Sequence, residues 1–240
     1  MDIKNSIWRR FQYYGIGFII GLIFVVVFFQ NRGCAWLPAN RVKNTFLDKV
    51  LILPDSEVSK FKLAGLEELD IISFLNNGKV NFGASIKDPN VFPKSYVLEQ
   101  KIHGKEHRIQ ISLYEDSYIA PVHYLEENDE VQLFPKLEGK GSFLRIPRDS
   151  ALVFINNKSS YITCKASELY SQEPSVLIHA LKETGKIDFS KSNLMLPKAE
   201  HLLEFQFSNG QEVKAKTIWF ESRISFKDFF WPESLPCENN

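Results

Sequence analysis

The chain predicts an α+β protein, an N-terminal transmembrane helix followed by two tandem modules, each a helix packed on an antiparallel sheet. Three observations lead there: an apolar run at the N-terminus, an internal duplication, and a repeated grammar of one helical period among alternating stretches. The composition is compatible. Of 240 residues, 44% are hydrophobic and 24% charged, which excludes whole-chain disorder. The length supports one large domain or two smaller ones, each with its own core.

The apolar run is Phe11 to Phe29, FQYYGIGFIIGLIFVVVFF, in which only Gln12 is strongly polar. About 20 apolar residues span a bilayer core, and glycine is common in membrane helices. Tyr13 and Tyr14 stand at one edge and Trp36 just past the other, where interfacial aromatics belong. A cleaved signal peptide is the main rival, but its apolar region is usually about 7–15 residues. Lipidation at Cys34 fits poorly, because Asn31 and Arg32 precede it. Arg9 and Arg10 sit closer to the apolar edge than Arg41 and Lys43, so the N-terminus is expected inside. The domains would then be extracytoplasmic, on the periplasmic side of a bacterial inner membrane.

The duplication rests on ordered matches. Gly78-Lys79-Val80-Asn81-Phe82 is answered by Gly185-Lys186-Ile187-Asp188-Phe189, and each block ends in a serine, Ser85 and Ser192. Pro93-Lys94 then answers Pro197-Lys198, and Leu98-Glu99 answers Leu203-Glu204. Further on, Ser117 and Ile119 answer Ser222 and Ile224. A period of this size means tandem domains and not a solenoid.

The elements follow in order. Val50–Leu53 is a strand ended by Pro54, and Leu66–Asn77 carries Leu66, Leu69, Ile72 and Leu75 at helical spacing. Gly78 is expected to cap that helix in the left-handed conformation. Tyr96–Ile102 and Arg108–Tyr114 alternate around the turn residue Gly104, and Ser117–Tyr124 follows with Pro121 placing it at an edge or bulge. In the second copy Ala151–Ile155 and Tyr161–Cys164 look like strands, and Pro174 opens a helix to Thr184 capped by Gly185. Leu202–Phe207 and Val213–Phe220 form a hairpin around Asn209-Gly210, and Arg223–Phe226 follows. The resulting division is a tail at 1–10, the span at 11–29, a juxtamembrane linker at 30–47, module one at 48–125, a linker at 126–149 with room for one strand, module two at 150–231, and a flexible tail at 232–240.

The chemistry is sparse. The repeated block Gly78, Lys79, Val80, Phe82 and Gly185, Lys186, Ile187, Phe189 reads as a structural element, a helix cap and a short strand with buried apolar side chains. One glycine per copy cannot build a phosphate cradle. His103 and His107 have helical ligand spacing but flank a hairpin turn; His123, His179 and His201 form no set with them. Glu67-Glu68 and Glu126-Glu127 read as solvated charges. Cys164 and Cys237 allow one disulfide in an oxidising compartment. Phe226, Phe229, Phe230 and Trp231 form an aromatic cluster that either staples the second copy to its core or makes a patch. No cofactor or metal is expected. Lys+Arg and Asp+Glu balance at 29 each, with no basic stripe, so no nucleic-acid partner is expected.

The segment Cys34-Ala35-Trp36-Leu37-Pro38-Ala39-Asn40-Arg41-Val42-Lys43-Asn44 and the block 185–192 resemble an uncharacterised family of short bacterial membrane-anchored proteins with one small α+β module. The likeness covers the anchor and residues 151–226, and residues 50–124 more weakly. It implies no activity and no catalytic residues, and the duplication departs from it. Some members of the wider group look like small α+β ribonuclease toxins, whose catalytic set has no match here. The expected function is therefore a membrane-anchored, non-enzymatic binding protein with a protein partner and the inter-module groove as its surface. The alternative is a nuclease-like α+β protein facing the cytoplasm.

Overall fold

A computed structural model describes residues 3–32, 37–147, 152–155, 174–196, 198–220 and 223–230. The chain divides into two units, Met1–Val42 and Lys43–Asn240. The first contains α1 (Ile3–Arg32), a continuous helix of 30 residues whose side chains from Phe11 to Val26 are mostly exposed. The expectation of a transmembrane helix, and of a single-pass membrane protein, is corrected here: among the described residues no helix is long and apolar enough to cross a membrane. Gln12, Tyr13 and Tyr14 occupy the first turn of the apolar stretch.

The rest builds one sheet. After α2 (Pro38–Leu47) come β1 (Val50–Pro54), α3 (Asp55–Leu63) and α4 (Glu68–Asn77). Then follow β2 (Lys79–Ile86), β3 (Lys94–Ile102), β4 (Lys105–Leu113), β5 (Ile119–Leu125) and β6 (Lys140–Arg145). The last group is β7 (Leu152–Ile155), α5 (Pro174–Thr184), β8 (Lys186–Asp188), β9 (Glu200–Gln206), β10 (Glu212–Phe220) and β11 (Arg223–Phe230). The 11 strands lie in the order β2-β3-β4-β5-β1-β6-β8-β9-β10-β11-β7.

Two separate tandem modules are thus replaced by a single mixed sheet. The matched segments are its two halves. In one, β2-β3-β4-β5 is antiparallel and β1 returns parallel to β5; in the other, β8-β9-β10-β11 is antiparallel and β7 returns parallel to β11. The register agrees residue by residue: Val80 faces Leu98 as Ile187 faces Leu203, and Lys79 faces Glu99 as Lys186 faces Glu204.

The join is β6, inside the expected linker. It pairs antiparallel with β1 (Leu53 opposite Ser142) and with β8 (Gly141 opposite Ile187). A side chain at Gly141 has no room, since a Cβ there would lie 2.6 Å from Ile52 Cγ2, 2.7 Å from the Phe189 ring and 3.0 Å from the Leu53 carbonyl oxygen. One hydrophobic cluster correspondingly crosses the join, with Val50, Ile52 and Ile119 beside Leu181, Ile187, Phe189, Leu203, Ile224 and Phe226. Each such side chain contributes on the order of 1.5–3 kcal/mol.

Other expectations shift in detail. The juxtamembrane linker contains α2, whose Phe46 is fully buried and meets Tyr96 edge-on. The rest of the 126–149 linker is tied down as well: Gln110 bonds both the N–H and the carbonyl of Gln132, and Tyr114 donates to the Phe134 carbonyl. Pro121 is not at a sheet edge. It faces Ile52 in an interior strand, one residue before the β4–β5 ladder begins at Val122, where its missing N–H costs no rung. His103 and Gly104 both have positive φ, 49° and 83°, and make the two-residue β3–β4 turn. The strand expected at Tyr161–Cys164, the pair Cys164 and Cys237, the tail at 232–240 and Trp231 lie outside the described residues, whereas Phe226 is in the core.

Gly141→Val should lower stability by roughly 1–3 kcal/mol through overpacking, and should do so by loosening the join between the halves. Urea unfolding followed by Trp219 fluorescence reads the loss, and amide exchange should rise first in β6 and β8.

Candidate functional site

The repeated block is built the same way twice, and its role is local. Gly78 and Gly185 each end a helix with an N–H that reaches back four residues, to Phe74 at 2.9 Å and Leu181 at 3.0 Å. Gly78 is not left-handed: its φ is −59°. Glycine is needed there because a Cβ would meet the Phe74 carbonyl oxygen at 2.4 Å, and at Gly185 the Leu181 oxygen at 2.3 Å. Asn81 then accepts from the Gly83 and Ala84 N–H groups, as Asp188 accepts from Ser190 N–H. Ser85 and Ser192 donate back to the carbonyls of Asn81 and Asp188. Val80 and Ile187 are buried in both copies. Phe189 is buried, but Phe82 is only half-buried; Lys79 is exposed, and Lys186 pairs with Asp55 at 2.9 Å.

A cleft of about 530 Å³ lies at the junction of the two halves. Glu68 and Ile72 of α4 form one wall and Lys182 and Glu183 of α5 the other, over Phe143, Leu144, Arg145 and Ile146 at the end of β6. Each wall thus comes from a different repeat. Glu68 is the first residue of α4, after a turn in which Asp70 accepts from the Glu67 N–H at 2.8 Å. Burial pushes the Glu68 carboxyl above its ordinary range, and the nearby charge of Glu183 pushes it further in the same direction. Ile72 remains 42% exposed beside them. Arg145 extends to the Leu47 carbonyl at 2.7 Å. Glu68 is exposed, in keeping with its reading as a solvated charge, but its local sequence does not show the second helix that brings Glu183 near it.

A second polar cluster is buried. Glu57 of α3 is 6% exposed and accepts from the Tyr124 N–H of β5 at 3.0 Å and from Lys60 at 3.1 Å. His123 Nδ1 lies 3.7 Å from Glu57, and its ring stacks on Phe134 at 4.1 Å. Burial pushes the Glu57 carboxyl up, but His123, the Tyr124 N–H and Lys60 outweigh it and hold it at about 2. This cluster fastens α3 to the sheet. His123 therefore belongs to a packing device. His107 contacts the Tyr124 hydroxyl at 3.2 Å, and His201 is buried in β9, where burial lowers it to about 4. Among the described residues no group of His, Cys, Asp or Glu is arranged to hold a metal ion.

Comparisons with family models, with curated proteins and with solved structures return no match.

Glu57 tests the buried cluster. Its folded pKa of about 2 lies below the unfolded value of about 4.3, so the carboxylate stabilises the fold above pH 4.3 and loses that contribution as pH falls through 2. Glu57→Gln should cost on the order of 2–3 kcal/mol at pH 7, a deficit that shrinks between pH 4 and pH 2. Chemical denaturation of both proteins across that range measures it.

Proposed function

We propose that this chain is a non-enzymatic binding protein whose recognition surface is the cleft between α4 and α5. The observation that carries this reading is the composition of the cleft: two acidic side chains, one from each repeat, face a half-exposed isoleucine over the apolar end of β6. The charge of Glu183 raises the cost of ionising Glu68, and a cation placed beside them relieves that cost. The partner that fits is a protein segment presenting a Lys or Arg beside an apolar side chain. Lys182 in one wall and Arg145 in the floor disfavour a purely cationic ligand and add selectivity for a segment with an acidic neighbour.

The nuclease-like alternative finds less support in this cleft. Its charged groups are of both signs, and no histidine is among its lining residues. A surface that binds nucleic acid is ordinarily basic.

Charge reversal tests the reading. Partners captured by the full chain are compared with those captured by the double variant Glu68→Lys, Glu183→Lys, with folding checked by circular dichroism. A partner that saturates on the wild type should weaken at least ten-fold on the variant, because like charges then face its basic residue. Undiminished capture would place the recognition surface elsewhere, and RNA cleavage by the wild type would replace the reading with the nuclease one.

A further inference from the structure

The two halves of the sheet are equivalent in order and register, yet their first strands end differently. β8 has β6 on its outer side, whereas β2 is the terminal strand among the described residues. The chain therefore contains its own example of what the edge of this repeat accepts. β6 lies antiparallel on β8 with Lys140 opposite Asp188, Gly141 opposite Ile187 and Ser142 opposite Lys186. The corresponding residues of the open edge are Asn81, Val80 and Lys79.

The side chains around the two edges differ in the way an empty slot predicts. Phe189 is buried beneath Gly141, 2.7 Å from where a Cβ would stand, while Phe82 is half-buried, with the exposed Lys87 ammonium 5.6 Å from its ring and donating to its carbonyl at 3.1 Å, a side-chain cover that an incoming strand would displace. Glu204 pairs with Lys140 of the incoming strand and with Lys214 at 2.8 Å. Its counterpart Glu99 accepts from Asn81 at 2.7 Å and stands 3.8 Å from Arg108, with no residue among the described ones in the place that Lys140 takes. An unpaired strand edge offers a row of backbone donors and acceptors to any extended chain that matches its side chains.

We infer that the outer edge of β2 at Lys79–Phe82 is a strand-addition site for an extended segment of a partner protein. The segment runs antiparallel to β2, with a basic residue opposite Asn81 that reaches Glu99, a glycine opposite Val80 that lets the Phe82 ring close over the backbone, and a small polar residue opposite Lys79. The site is separate from the α4–α5 cleft, and its test does not depend on that cleft.

The probe is a synthetic peptide with the sequence of residues 138–146, the segment that already fills the equivalent slot, titrated into the full chain. Fluorescence anisotropy should show saturable binding, and amide exchange should slow at residues 79–82. Glu99→Lys should weaken binding at least ten-fold, and a peptide with glutamate in place of its lysine should recover it on that variant. A peptide with valine in place of its second glycine should not bind. The inference is overturned if the peptide does not bind, if exchange changes at residues 186–188 instead because the peptide displaces β6, or if the charge swap restores nothing. It is overturned too if sedimentation shows β2 occupied by a second copy of the chain that excludes the peptide.

Discussion

The architecture depends on one strand satisfying two edges at once. A four-strand antiparallel run with a parallel return leaves two open edges, and open edges are costly in an isolated domain because their backbone groups invite foreign pairing. β6 closes one edge of each half, pairing with β1 on one side and β8 on the other. The closure is tight only because residue 141 is glycine, between the Ile52 side chain and the Phe189 ring. The shared core, the ion pair between Asp55 and Lys186, and the cleft over the end of β6 all follow from that pairing.

Two acidic side chains show how neighbours set the state of a carboxylate. Glu57 is desolvated but surrounded by donors, so it stays ionised and locks α3 onto β5. Glu68 remains exposed, and partial burial together with the charge of Glu183 raises its carboxyl above the ordinary range. The same residue type is held ionised by donors in one place and raised by a like charge in the other. The difference lies in the neighbours supplied by distant segments.

Divergence between the repeats follows the same logic. The turn built by Asn81 with Ser85 and by Asp188 with Ser192 is kept in both, because it sets the strand leaving each helix. What changes is the surroundings: Glu204 lies between two lysines, whereas Glu99 faces Asn81 and Arg108. The edge of the second repeat is covered by β6, whereas β2 of the first is the terminal strand among the described residues.

Much of the element order was legible from residues alone. Helical spacing located α4 and α5, alternation located β3, β4, β9 and β10, and Gly104 and Asn209-Gly210 marked their turns, because these signals are local. The α+β class and the alignment of Gly78 with Gly185 and Leu98 with Leu203 also came from local pattern. The short helices α2 and α3 and the strand β6 were read as linker or passed over, since their apolar residues are few and their stability comes from contacts such as Phe46 with Tyr96 and Gly141 with Phe189. A hydrophobic run showed a long helix at the N-terminus, but composition overstated it as a span. Sequence by itself determined which segments are helices and strands and that the pattern occurs twice, because periodicity is written in neighbouring residues. Only the tertiary structure decided that the copies share one sheet, that Glu68 meets Glu183, and that one repeat edge is covered while the other ends the sheet, because backbone pairing and charge proximity are made between residues far apart in the chain.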